Sequence, residues 1–223
     1  MGIVRRVAFL LILVGLSSTV SLQLSGCSSA KISDGDPAAL FQDAESEIKG
    51  DRYQLAIDKL RMLKSKFPYS NFAAEAQLRI ADVYFLQELY QEAALSYETF
   101  RDLHPKHAKA AYALFRVGES YQADVPGNLA RDLSTAGKAI AAFEDFVRQY
   151  PQDQRLPQAR KAISEGRALL AKKELLIGNF YFREGHFDSA KGRFEKILAR
   201  FPETESAGEA RERLQASEEK LKE

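Results

Sequence analysis

The chain has 223 residues, 45% of them hydrophobic, which is enough to bury a real core and excludes an intrinsically disordered polypeptide. Lys and Arg number 32 against 31 Asp and Glu, so there is no excess of either sign to drive adhesion to nucleic acid or anionic lipid. Gly (13) and Pro (7) are sparse, Trp is absent and there is a single Cys, a composition that leans helical.

Residues 1–26 follow the plan of a cleaved secretory leader: two cations (Arg5, Arg6), an apolar stretch from Val7 to Val14, then small and polar residues. The apolar stretch is too short to span a hydrocarbon layer about 30 Å thick, which needs roughly 20 residues. Arg5-Arg6 also fits a twin-arginine leader, but a helical protein without cofactor has no need to fold before export. Loss of the leader leaves 30 basic and 31 acidic side chains. The leader ends in Leu24-Ser25-Gly26-Cys27, which resembles the bacterial lipobox; the resemblance implies cleavage before Cys27 and acylation of that residue, several chains giving stable anchoring. Ser28 after the cysteine, where retained lipoproteins have Asp, implies passage to the outer membrane. Residues 27–37 read as a lipidated flexible tether, and 38–223 as the folded part.

In that part four segments align on a proline: Tyr53 to Pro68, Tyr90 to Pro105, Ala136 to Pro151 and Phe187 to Pro202. Twelve residues before each stands Ala56, Ala93, Ala139 or Ala190; eight before, Leu60, Tyr97, Phe143 or Phe194; five before, Leu63, Phe100, Phe146 or Ile197. Spacings of 4 and 3 put these positions on one face of a helix that the proline then ends. Phe67, Tyr150 and Phe201 precede three of the prolines and are expected to pack at the turn. Upstream, a partner helix carries a small residue, Ala44, Ala81, Gly118 or Gly178, followed in the last three by Tyr84, Tyr121 or Tyr181. The third unit holds an insertion of nine residues near Asp124 to Asn128, with the chemistry of an exposed loop. Leu156 to Arg183 is longer than one repeat helix needs and predicts one long helix or two joined ones. Ser206 to Glu223 predicts a capping helix burying Ala207, Ala210 and Leu214.

The pattern is similar to a divergent tetratricopeptide repeat and predicts an all-α fold, a right-handed solenoid of helical hairpins whose apolar faces are completed by stacking. His104 and His107 flank the helix-ending Pro105, so they form no ligand pair on one helical face and read as solvated turn residues. No phosphate loop, nucleophile elbow or zinc-protease helix occurs, so neither an enzyme nor a metal or cofactor site is expected.

The surface left for function is the groove lined by the first helix of each hairpin. Leu40, Gln77, Leu114 and Glu174 stand four residues before the small residue, at the core position, and Phe41, Leu78, Phe115 and Leu175 stand beside them. The second row either faces the groove, suiting an extended aromatic-bearing peptide, or thickens the inter-repeat core. With Asp82, Phe85 and Glu119 further along the same helices, Phe41, Leu78 and Phe115 are the candidate peptide-binding residues.

The leader, the lipobox, and the phrases Phe67-Pro68-Tyr69-Ser70, Ala76-Gln77-Leu78-Arg79-Ile80-Ala81-Asp82-Val83-Tyr84-Phe85, Leu103-His104-Pro105-Lys106-His107, Arg131-Asp132 and Phe180-Tyr181-Phe182-Arg183-Glu184-Gly185 resemble the BamD (YfiO) family of outer-membrane assembly lipoproteins, over Cys27 to about Glu212. The resemblance implies a lipid-anchored scaffold on the periplasmic face of the outer membrane. Its N-terminal repeats would capture unfolded outer-membrane proteins by their C-terminal signal, and its C-terminal repeats would hold a BamA-like insertase beside other assembly lipoproteins. It also implies an insertase contact at Arg193. The third-repeat insertion is shorter than in the family and the C-terminal helix ends early; both regions touch partner lipoproteins there, which leaves those partners open. The alternative is a general periplasmic tetratricopeptide adaptor lipoprotein, pilotin-like or a cell-envelope division factor.

Overall fold

The computed structural model describes residues 35–223; the leader, Cys27 and most of the tether lie outside the described residues. Nine helices and no strand occur among the described residues: α1 (Pro37–Lys49), α2 (Tyr53–Lys66), α3 (Asn71–Leu86), α4 (Tyr90–Leu103), α5 (Ala110–Ala123), α6 (Ser134–Gln149), α7 (Leu156–Arg183), α8 (Phe187–Arg200) and α9 (Ser206–Lys220). Each packs mainly on its chain neighbours, as in a stack of hairpins. None of them is long and apolar enough to cross a membrane.

The local chemistry explains the boundaries. Asp36 caps α1 by accepting the amide of Ala38 at 2.9 Å, with Pro37 in the first turn. The second helices α2, α4, α6 and α8 all stop in one way. Phe67, His104, Tyr150 and Phe201 leave the helical region with φ between −126° and −136°, because the following proline clashes with a helical residue before it. Their amides still reach back to Leu63, Phe100, Phe146 and Ile197. The turns between paired helices are alike in three of the four units: Asp51 (φ 55°), Glu88 (φ 60°) and Gly185 (φ 77°) occupy the left-handed region at the same distance before the proline. Only the last unit uses the residue that adopts it without cost.

Inside the stack the small residue of the first helix meets the large residue of the second. Ala44 shares a cluster with Leu60, and Ala81 one with Tyr97. Where the large residue is phenylalanine the small one is glycine: a Cβ on Gly118 would lie 2.6 Å from Phe143 Cε1, and one on Gly178 2.6 Å from Phe194 Cε1. The two positions are matched by volume.

The 28-residue α7, about 42 Å long at 1.5 Å per residue, is one unbroken helix. Its first half buries Ala159 against Phe143 and Phe146, and its second half buries Ala171 in the cluster of Phe194, Ile197 and Phe201. It thus closes the third hairpin and opens the fourth. At the end α9 lays Ala207 and Ala210 into that last cluster, with Leu214 partly buried.

Candidate polypeptide-binding face

The first helices α1, α3 and α5 carry the predicted groove residues, but the structure does not bring those residues together as one apolar row. Leu78 and Phe115 are each 3% exposed. Phe115 sits inside the third hairpin with its ring centroid 5.4 Å from Phe143 and 5.2 Å from Phe146, so it thickens the inter-repeat core. Leu78 packs beside Tyr97, Phe100 and Ala113 and offers only an edge to the surface. Phe41 is half-buried, tilted on Phe72 at 5.7 Å, and with Leu78 and Asp82 it lines a concavity of about 300 Å³ that Glu45, Glu75, Arg79 and Lys109 complete.

A ladder of acid and arginine occupies the rest of this face. The residue after the small one is acidic in three consecutive repeats, Glu45, Asp82 and Glu119, and the residue two before it is arginine in two, Arg79 and Arg116. Each arginine reaches the acid three residues on: Arg79 to Asp82 at 3.4 Å and Arg116 to Glu119 at 3.0 Å. Arg79 also grips Glu45 of the preceding repeat with Nε and Nη2, at 2.5 and 2.9 Å, locking α3 to α1.

Asp82 is the hub. Its Oδ1 accepts the hydroxyls of Tyr97 at 2.6 Å and Tyr112 at 2.8 Å, so one carboxylate ties α3 to α4 and α5. Arg116 donates to the Tyr97 hydroxyl at 3.1 Å and lays its guanidinium 3.8 Å from the centre of the Phe85 ring. Burial, and then the Asp82 charge, push the Tyr112 hydroxyl up to about 12 and that of Tyr97 higher still. Both phenols are therefore fixed donors. The ladder ends on α7, where Gln158 donates to Glu119 at 3.3 Å. Every charge named here has a partner of opposite sign, so the face selects neither acidic nor basic ligands by net charge.

Arg193 lies apart from this face, on α8. It donates to Glu174 of α7 at 2.9 Å, and Lys196 donates to the same carboxylate. Burial opposes the Glu174 charge, but the hydrogen bonds from Lys196 and Arg193 prevail and hold its carboxyl below the usual glutamate range. Arg193 keeps about a third of its side chain exposed while Glu174 is 12% exposed. The arginine is thus anchored from below and presented outward.

His104 and His107 are half-buried rather than solvated, which corrects the sequence expectation. His104 and His107 stack on Phe100 at 5.1 and 5.2 Å, and His107 Nδ1 accepts the amide of Lys109 at 3.1 Å. Burial pushes the His104 imidazole down, with smaller contributions from His107 and Lys64.

The match to known proteins follows the repeat stack. The family model described as YfiO, outer membrane lipoprotein, matches residues 33–223. The chain belongs to the YfiO family. A relative from Neisseria gonorrhoeae called outer membrane protein assembly factor BamD is 25% identical over 223 residues, covering 92% of this chain and 84% of that protein. The protein of the same name from Vibrio cholerae is 25% identical, covering 86% and 85%. Among solved structures, a thermophilic tetratricopeptide protein of Thermus thermophilus superposes with a TM-score of 0.44 at 16% identity, over 82% of this chain and 98% of that one. The whole acid–arginine ladder and the Arg193 cluster fall inside the YfiO match.

Proposed function

We propose that this YfiO-family chain is a non-catalytic scaffold of the β-barrel assembly machinery, anchored by acylated Cys27 to the periplasmic face of the outer membrane. The face of α1, α3 and α5 receives unfolded outer-membrane proteins, while Arg193 on the last hairpin engages a BamA-like insertase, beside other assembly lipoproteins. The observation that carries this reading is the ladder: internal partners neutralise its charges and rigidify three consecutive first helices, leaving the edges of Phe41 and Phe85 as its apolar features. A neutral, rigid, aromatic-edged face suits extended segments rich in aromatic residues, whose binding cost falls when the receptor is pre-organised. The relatives called assembly factors support the same role.

Co-purification from solubilised envelopes tests it. The wild-type chain recovers an insertase and Arg193→Glu does not, whereas recovery of a secretin or of division proteins instead would favour the pilotin-like or division adaptor.

A further inference from the structure

The core position four residues before the small residue is Leu40 in the first repeat and Leu114 in the third, both fully buried. The second repeat has Gln77 there, only 7% exposed, and its side-chain amide has no hydrogen-bond partner among the described residues. That amide is not sealed in the core but opens to solvent. Gln77 opens into a pocket of about 190 Å³ between α2 and α4, on the far side of α3 from the ladder, where Arg61, Lys64, Tyr84, Ser96 and Thr99 join it.

The two cations of this pocket differ from those of the ladder and of the Arg193 cluster. Arg79, Arg116, Arg193 and Lys196 each sit on a carboxylate. Arg61 and Lys64, three residues apart on α2, have no carboxylate partner among the described residues; Arg61 instead donates to the Tyr84 hydroxyl at 2.9 Å. Like charges at this spacing repel, and burial followed by the Arg61 charge holds the Lys64 ammonium below its usual range. Thr99 commits its hydroxyl hydrogen to the carbonyl of Leu95, while Ser96 does not use its own. Two cations, a side-chain amide and a free hydroxyl therefore converge on one small space lined by no acid.

We propose that this pocket is an anion site for a phosphate group, with Arg61 and Lys64 supplying charge and Gln77 and Ser96 supplying neutral donors. Four donors around a pocket match the oxygens of a tetrahedral phosphate better than the two of a carboxylate. The group is either free phosphate or the headgroup of an anionic lipid, and the site is independent of what the opposite face binds.

The test follows the Gln77 side-chain amide by NMR in the purified, acylated chain. Inorganic phosphate, and not acetate at equal ionic strength, should shift that resonance, and calorimetry should show phosphate binding weakened about tenfold or more in Lys64→Met and in Gln77→Leu. Gln77→Leu installs the residue of the neighbouring repeats and keeps the fold. If the headgroup is the source, the shift appears in nanodiscs of phosphatidylglycerol but not of phosphatidylcholine, and Lys64→Met abolishes it. Equal responses to phosphate and acetate, or no response to phosphate or phosphatidylglycerol, overturn the site.

Discussion

Replacing Gly118 with alanine probes the volume matching that holds the hairpins together. The new methyl would meet Cε1, Cδ1 and Cζ of Phe143 at 2.6, 2.7 and 2.8 Å, so the whole ring edge must retreat. Phe143 is 1% exposed and backed by Phe115, which leaves it little room to swing away. Overpacking of this kind costs about 1–3 kcal/mol, and alanine in place of glycine within a helix returns about 1 kcal/mol. The net expectation for Gly118→Ala is a loss of about 1 kcal/mol, or about 2–4 °C in the melting midpoint for a chain of this size. The same substitution in a Phe143→Leu background recreates the Ala44–Leu60 pair of the first repeat; there the clash vanishes, the helical gain remains, and the sign should reverse. Guanidinium unfolding of the four members of this cycle, followed by far-ultraviolet circular dichroism, gives the coupling directly. A stabilising Gly118→Ala in the wild-type background, or equal effects in both backgrounds, would refute the matching.

Asp82→Leu should destabilise by about 2–4 kcal/mol, because it takes the acceptor from the buried Tyr97 and the half-buried Tyr112 hydroxyls, and Asp82→Asn by less; denaturant midpoints that rank the two oppositely would contradict the hub. The Glu174 carboxyl, held below its ordinary value of 4.5, contributes stability that is fully present above that value and lost as pH falls through the lower folded value. Acid titration of stability should therefore fall more steeply below pH 4.5 for the wild type than for Glu174→Gln, and parallel curves would remove the ion-pair assignment. Glu88→Gly should stabilise by about 0.5–1 kcal/mol, since a non-glycine left-handed residue costs about 1–2 kcal/mol and glycine loses part of that in chain entropy. A lowered midpoint for Glu88→Gly would show that the turn is not strained.

The proline-anchored alignment made the hairpins legible because each repeat obeys the same steric rules. Ala56 or Phe194 has to be what it is for two helices to approach, and the pre-proline residue has to leave the helix. For α7 the distance between Pro151 and Gly178 left one long helix or two joined ones open, and the packed molecule forms one. The binding face was harder to read, for a specific reason: residue type and spacing place Phe115 beside Phe41, but whether such a row faces outward depends on how far neighbouring helices rotate. Phe143 and Phe146 draw Phe115 inward, whereas Phe41 in the first hairpin tilts on Phe72 instead. The ladder carried a signal in the same alignment, acids after the small residue and arginines two before it, that only a comparison of polar positions would have revealed. The Tyr97 hydroxyl had none, because a tyrosine in a core position reads as bulk until its acceptor on another helix is known. Gln77 was visible as a departure from leucine, yet its lack of a partner is a property of the packed molecule.

The proposed role depends above all on unfolded outer-membrane protein docking on the face of the first helices. A photo-crosslinking amino acid at Phe41, compared with one at Leu95, which is 63% exposed on α4 and away from that face, tests this most directly. A crosslink to the unfolded client is expected from position 41 and none from position 95. Equal labelling at both positions, or labelling at 95 alone, would contradict it.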